Sequence, residues 1–284
     1  MKYCTKEWFD AMQCTDLHIM LKADERAGAY SESYFQELYA QNIQERLDMM
    51  QRVSEVDLKE LAAKFADCAA SETPLVRVDG GEISPDEQEL GRKIGLSIAD
   101  SLLDAQPFVF DPEAEAQIAH DIYLHDLQRL ESSLPDEILS KVADIRVLAL
   151  GYATCEIIDD IKNFCKATET AVRTASDEYT EEFNHNFGDA PPRFHTDYDF
   201  HDYKVISFQT EGEDILLKLD GYSCRFLNAE ITGNDAPLEG AYWLYDAVYP
   251  AADGFEFLIL MQKDESILEI NILCRDVQIS RNSE

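Results

Sequence analysis

The sequence predicts an α+β protein, in which an N-terminal irregular helical bundle packs on a C-terminal antiparallel β-sheet meander. Up to about Asn186, apolar residues recur with the 3.6-residue period of amphipathic helices. From Tyr203 onward they alternate with a period of two, as in half-buried strands. Between these regions lies Gly188-Asp189-Ala190-Pro191-Pro192, where two successive prolines end a helix. We therefore predict a helical domain over 1–190 and an antiparallel β domain over 191–284.

The first third of the chain contains four predicted helical segments. They are a short helix over 5–15, a piece over 16–27 that stops at Gly28, a long helix capped by Ser31 or Ser33, and a segment over 56–70. Residues 71–83 contain Pro74 and Gly80-Gly81, which predict a loop or at most a brief strand.

Two later helices have clear start signals. Ser84-Pro85-Asp86-Glu87 supplies an N-cap, a proline at the first helical position and a capping-box glutamate. Asp111-Pro112-Glu113 repeats the cap followed by proline. A further helix begins at Pro135, and a last one spans about 154–186.

Six strands follow in the C-terminal region. The predicted strands are 203–209, 214–219, 223–231, 241–249, 255–262 and 267–279. Turn dipeptides separate several of them: Glu211-Gly212, Asp220-Gly221, Gly233-Asn234 and Asp253-Gly254. Because short turns join successive strands, neighbours pair antiparallel. The helical region covers one face of the sheet.

Acidic charge extends over the whole chain. The 57 acidic residues outnumber the 24 basic residues, which gives a net charge of −33. Residues 1–190 hold 39 acids and 17 bases, and residues 191–284 hold 18 and 7. Such a surface repels nucleic acid and anionic membranes, and it favours cations or a basic protein partner. Plain solubility is the alternative explanation for the charge.

The cysteines and the N-terminal segment predict a cytoplasmic protein. The seven cysteines show no C-x-x-C spacing, and their odd number predicts buried thiols in a reducing compartment rather than disulfides. The N-terminal segment lacks the apolar core of a signal peptide, and no run approaches 18 apolar residues.

Two short segments resemble a bacterial family of uncharacterised proteins. The opening Met1-Lys2-Tyr3-Cys4-Thr5-Lys6-Glu7-Trp8 is similar to the family's usual Met-Lys-Tyr-Phe-Thr-Lys-Glu-Trp, with Cys4 in place of phenylalanine. Phe200-His201-Asp202, followed by Lys204-Val205-Ile206, resembles a Phe-His-Asp segment before the family's strand-rich region. The resemblance implies a bacterial cytoplasmic protein and supplies no activity.

The junction between the two regions contains candidate metal ligands. They are His195, Asp197, Asp199 and His201. Imidazole and carboxylate bind zinc, manganese or iron, and in an extended segment these four side chains project to one side. The pattern predicts a divalent-metal site. The structural alternative is that Asp202 bonds a backbone N–H at the start of the sheet while Phe200 is buried against helices.

An aromatic run on the predicted strand 241–249 is a candidate binding surface. Its binding residues are Tyr242, Trp243 and Tyr245. Strand alternation places Trp243 and Tyr245 on one face and Tyr242 on the other. Tyrosine and tryptophan are favoured anchors at interfaces. The alternative is a strand covered on both faces.

Known catalytic signatures are missing from the sequence, which has no G-x-S-x-G, P-loop, G-x-G-x-x-G or H-E-x-x-H motif. The sequence therefore favours a non-catalytic cytoplasmic binding protein whose acidic surface meets a basic partner, such as a toxin that it neutralises. Two alternatives stay open. One is a metal-dependent enzyme that uses the junction histidines and aspartates. The other is a small-ligand-binding or scaffold protein with a pocket between the two domains.

Overall fold

The computed structural model describes residues 1–71, 84–188, 198–234 and 237–282. Contacts divide the chain into two compact units. The strand unit comprises Met1–Leu21, Ser133–Ile138 and Cys155–Glu284, and the helical unit comprises Lys22–Ser132 and Leu139–Thr154. The predicted boundary after residue 190 follows the change of secondary structure. The contacts instead assign the first and the last helix to the same unit as the strands.

Most of the helices begin where the sequence signals predict. They are α1 Lys6–Met12, α2 Glu32–Ser54, α3 Leu58–Ala70, α4 Pro85–Asp104, α5 Pro112–Ser133, α6 Asp136–Leu139, α7 Ile145–Ala149 and α8 Cys155–Phe187. The Ser31 hydroxyl accepts a hydrogen bond from the Tyr34 N–H at 3.3 Å. Ser84 and Glu87 form the predicted capping box at the start of α4. The predicted loop over 71–83 lies almost wholly outside the described residues.

Two helical predictions are wrong. Residues 16–27 do not form an α-helix; they contain β1 (Lys22–Ala23), which pairs with β2 (Tyr152–Ala153), and the start of a short 3-10 helix, Glu25–Gly28. The helix predicted from Pro135 is divided into α6 and α7, since Asp144 caps a new helix by accepting the Arg146 N–H at 3.0 Å.

The strand region is antiparallel throughout, as predicted. Its strands are β3 Val205–Glu211, β4 Asp214–Leu219, β5 Tyr222–Leu227, β6 Glu230–Asn234, β7 Tyr242–Ala251, β8 Gly254–Lys263, β9 Ser266–Cys274 and β10 Asp276–Arg281. They form two four-stranded sheets, in the orders β10-β5-β4-β3 and β6-β9-β8-β7. Two sheets arise because two of the predicted strands break, between β5 and β6 and between β9 and β10.

Hydrogen bonds connect the two sheets at both edges. At the break between β5 and β6, Asn228 has a positive φ of 48°. The N–H of Arg275, which lies at the break between β9 and β10, donates to the Leu227 carbonyl at 2.9 Å. At the edges formed by β3 and β7, the Trp243 N–H donates to the Tyr203 carbonyl at 2.9 Å. Each sheet thereby continues into the other.

Two apolar clusters stabilise the strand unit. The inner cluster lies between the sheets and includes Leu217 and Phe226 from one sheet and Phe257 and Ile272 from the other. An outer cluster covers the second sheet with helices, and Trp8 of α1 belongs to it. The helices therefore pack on the sheet, as the α+β prediction requires. All seven cysteines are unpaired thiols, and four of them are buried: Cys4, Cys165, Cys224 and Cys274.

The inner cluster should dominate the stability of the strand unit. Phe226 is fully buried and meets Phe257 edge-on, with 5.4 Å between the ring centroids. We expect Phe226→Ala to lower the free energy of unfolding by about 3–5 kcal/mol, because it removes buried area and leaves a cavity. The control Ile206→Ala, at a side chain that is 55% exposed, should cost less than about 1 kcal/mol. Equal losses for the two variants would contradict this packing.

Tryptophan fluorescence during urea unfolding is the appropriate measurement. The chain has 2 tryptophans, and both lie in the strand unit. The fluorescence change therefore reports that unit and not the helical unit.

The helical unit contains an arginine that contacts one aromatic ring and two carboxylates. The Arg26 guanidinium lies 4.3 Å from the centroid of the Tyr34 ring. It pairs with Asp24 at 2.9 Å and with Glu37 at 3.2 Å. Hydrogen bonds from the Arg26 side chain, followed by one from its backbone N–H, lower the pKa of Asp24 to about 2.

This shift predicts a pH dependence. An unfolded aspartate titrates near about 3.9, so the lowered pKa stabilises the folded state above about pH 4. The contribution is lost as the pH falls toward 2. A ¹³C NMR titration of the Asp24 carboxyl group should give a midpoint of about 2. Asp24→Asn should flatten the stability curve of the helical unit between pH 4 and 2. A midpoint near the ordinary aspartate value would contradict the prediction.

Candidate functional site

A tight turn begins the strand region. The Tyr203 N–H donates to the Phe200 carbonyl at 2.9 Å, and Asp202 has a φ of 67°. The Asp199 carboxylate accepts the His201 N–H at 3.0 Å, which is the usual way that aspartate stabilises a turn. The extended conformation that underlies the metal prediction is therefore wrong for residues 199–202.

Phe200 anchors this turn to the inner cluster. Its side chain is 2% exposed. The ring centroids of Trp243 and Tyr222 lie 5.3 Å and 5.6 Å away. The alternative to a metal site predicts that Phe200 is buried against helices. Phe200 is buried, but its side chain packs among aromatic rings of the strand region. The backbone bond expected of Asp202 is made by Asp199.

A β-bulge in β7 forms the facing wall. Trp243 pairs with Met261 and Tyr245 pairs with Leu260, so Leu244 is an extra residue on β7. The bulge places Trp243 in the inner cluster and Tyr245 against the outer one. The expected alternation, with both side chains on one face, is therefore wrong.

The bulge also supplies the acceptor that orients His201. The Leu244 carbonyl lies 2.6 Å from His201 Nδ1. A carbonyl can only accept, so Nδ1 carries the proton and Nε2 of the neutral ring is an acceptor. The Tyr245 ring lies 5.7 Å from the imidazole, centroid to centroid. One hydrogen bond thus connects the turn to the bulge and fixes the tautomer.

Asp246 follows the bulge. Its carboxylate accepts the Trp243 Nε1–H at 3.1 Å. Burial, with the charge of Asp246 as the next cause, raises the pKa of the Cys224 thiol to about 12. The same two effects contribute, with burial the larger, to the raised pKa of the Tyr179 phenol. The field of Asp246 therefore extends into the interior of the strand unit.

These groups converge on a cleft of about 470 Å³. Its lining residues are Tyr198, Asp199, His201, Leu244, Tyr245 and Asp246. The lining thus contains two aspartates, one histidine and two tyrosines. Among the described residues that line the cleft there is no lysine or arginine. Carboxylates and aromatic faces both attract cations, so the cleft is suited to a positively charged group.

The predicted binding residues have three different positions. Tyr245 lines the cleft. Trp243 is fully buried behind it and donates its indole N–H to Asp246. Tyr242 is 45% exposed and lies outside the cleft lining, with its ring 5.7 Å from the Lys204 ammonium group.

The predicted metal ligands are only partly described. Asp199 and His201 line the cleft together. His195 and Asp197 lie outside the described residues. Within the described residues, no group of three or more His, Cys, Asp or Glu side chains is placed to hold a metal ion. The divalent-metal site depends on the two undescribed ligands as well, and it stays a prediction.

Sequence reasoning missed Asp246 as a site residue. A single aspartate within a strand forms no motif. The available signal was a carboxylate three residues after a tryptophan on an otherwise apolar strand, and only the bulge shows what it does.

Within the described ranges, no helix has an apolar stretch long enough to cross a membrane. No family model, curated protein or solved structure matches this chain. Function is therefore inferred from the cleft and from the distribution of charge.

His201 provides a direct test of the cleft geometry. In its neutral form we expect the Nδ1–H tautomer, because Nδ1 must donate to the Leu244 carbonyl. Long-range ¹H–¹⁵N correlation spectra should show a pyrrole-type Nδ1 and a pyridine-type Nε2. The control is His185, which is exposed on α8 and should show an averaged mixture. A protonated Nε2 in neutral His201 would contradict the hydrogen bond.

Proposed function

We propose that the protein is a non-catalytic cytoplasmic binding protein that holds a basic protein partner through its acidic surface. The observation that supports this most is the charge of −33, distributed over both parts of the chain. A net charge of this size attracts a polycationic partner over long range and raises its association rate.

Local ion pairs strengthen the argument. Among the described residues, at least five arginines already lie against carboxylates of the chain itself: Arg26, Arg46, Arg146, Arg173 and Arg225. On the surface of the strand unit, Arg225 lies 2.6 Å from Glu211 and 3.2 Å from Asp214. Because these arginines are already paired with carboxylates of the chain itself, the surface that a basic partner meets has an excess of carboxylates. A secreted toxin that the protein neutralises in a bacterial cell would be such a partner.

A second candidate function is the binding of a small organic cation. The observation that favours it is the cleft of about 470 Å³, a size typical of small-ligand sites. The pocket in question lies within the strand unit, and the predicted pocket between two domains stays a separate prediction.

The test is affinity capture with the full-length protein in extract of its native host, followed by reconstitution with the purified partner. We expect a basic protein that is retained at 20 mM salt. Its affinity should fall at least tenfold at 500 mM salt, where screening shortens electrostatic range. Capture of no basic protein, or an affinity insensitive to salt, would overturn the proposal.

A further inference from the structure

We infer that α4 binds an amphipathic helix of the basic partner along an exposed apolar stripe. This inference rests on the proposed function, since the partner supplies the helix. Three observations carry it: the few side chains that α3 and α4 bury, the apolar stripe itself, and the acidic residues beside that stripe.

The pair formed by α3 and α4 has a small interior. Among the described residues, its buried side chains are Ala62 of α3 and Ala99 of α4. The two helices approach closely, and a Cβ atom built on Gly95 would lie only 3.3 Å from the Ala69 Cβ. Small residues allow this approach but bury little apolar area. Because most helix stability in proteins comes from packing of an apolar face, a further helix would add burial that this pair does not supply.

An apolar stripe runs along α4. It consists of Leu90, Ile94 and Ile98, which are spaced four residues apart and are each at least 37% exposed. Residues at this spacing share one face of a helix. Ser97 and Ser101 lie in the same stripe, and the Ser101 hydroxyl donates to the Ser97 carbonyl at 2.9 Å. Aligned apolar side chains that are exposed mark an interaction surface.

The geometry of the stripe selects a helix as its occupant. A row of side chains spaced by four residues forms a ridge that fits the groove of another helix. Apolar residues at positions i, i+4 and i+7 of the partner then meet the row along its length. From Leu90 to Ile98 the stripe extends over about 12 Å, which is roughly two turns of a bound helix.

The residues beside the stripe make the expected occupant basic. The α4 helix contains five acidic and two basic residues. The 3.6-residue repeat places three exposed carboxylates within about a quarter of a turn of the stripe: Asp86, Asp100 and Asp104. Lys93 lies on the same edge and already has a carboxylate 3.6 Å away. Basic side chains that flank the apolar face of a partner helix would therefore meet carboxylates.

A second copy of this chain fits the stripe less well. Two α4 helices would bring their acidic edges together, and each chain carries a net charge of −33. Like charges across an interface oppose association. A basic helix gains from the apolar stripe and from the charges beside it, so it is the occupant that the surface favours.

Reciprocal hydrogen bonds fix the start of α4. The Ser84 N–H donates to the Glu87 carboxylate at 2.8 Å, and the Glu87 N–H donates to the Ser84 hydroxyl at 3.3 Å. The bond from the Ser84 N–H is the largest cause of the lowered pKa of Glu87. A preformed helix loses less conformational entropy on binding, which favours association.

The experiment titrates the full-length protein into a fluorescently labelled helical peptide and follows fluorescence anisotropy. The peptide has eighteen residues, with leucines on one face and lysines on the other. One matched peptide has the same composition in a scrambled order that destroys the apolar face. A second keeps the leucines and replaces every lysine with glutamate.

We expect the basic amphipathic peptide to bind, and Ile94→Gln should weaken its binding at least tenfold. The control is Leu96→Gln on the other side of the same helix. The two parent side chains are 50% and 49% exposed, so both substitutions remove a comparable exposed apolar group and should preserve the fold. The control should bind the peptide like the parent protein. Ile98→Gln tests the stripe independently, and far-UV circular dichroism verifies the helix content of each variant.

Several outcomes would overturn the inference while the acidic binding function stands. One is a scrambled peptide that binds as tightly as the amphipathic one, or equal binding by the Ile94 and Leu96 variants. Another is equal affinity for the glutamate peptide, which would leave an apolar surface with no preference for a basic helix.

Other occupants of the stripe have their own signatures. If sedimentation velocity shows a dimer that Ile94→Gln dissociates, a second copy covers the stripe and the inference is overturned. If replacing residues 75–78 with glycine and serine raises the peptide affinity at least tenfold, a segment of this chain covers it, with the same consequence. If no basic peptide binds and affinity capture recovers no basic protein, the proposed function fails as well.

Discussion

The β-bulge at Leu244 is the constraint on which the candidate site depends. By adding one residue to β7, it turns a backbone carbonyl toward His201, and the 2.6 Å hydrogen bond joins the turn after Asp199 to the sheet. The same extra residue sends Tyr245 and Trp243 to opposite faces. Without it, the strand would alternate regularly and the cleft would lack this wall.

The electrostatics of the protein depend on which groups donate hydrogen bonds to its carboxylates. In the helical unit, guanidinium groups bind carboxylates in pairs, as around Arg26 and Arg146. In the cleft, Asp199 is held by a backbone N–H and Asp246 by an indole N–H. Each of these two donors orients its carboxylate and carries no formal charge of its own.

The packing of α4 shows that the periodicity of apolar residues predicts a helix without predicting which of its residues are buried. The capping box of Ser84 fixed the start of this helix from sequence alone. The apolar positions Leu90 and Ile94, however, are 57% and 50% exposed. The helix meets α3 through Gly95, where a Cβ atom would lie only 3.3 Å from the Ala69 Cβ. Close approach through a small residue leaves no sequence period, so burial on that face could not be predicted.

Local chemistry determined much of this protein in advance: the α+β class, most helix starts, the antiparallel strands and the charge of −33. These follow from caps, turns and periodicities that act within a few residues. Only the tertiary structure decided that the strands divide into two sheets at Asn228, that Leu244 bulges, and that Asp246 joins His201 in one cleft. Those outcomes depend on register and packing between distant strands, where the free energy of long-range pairing outweighs local preference.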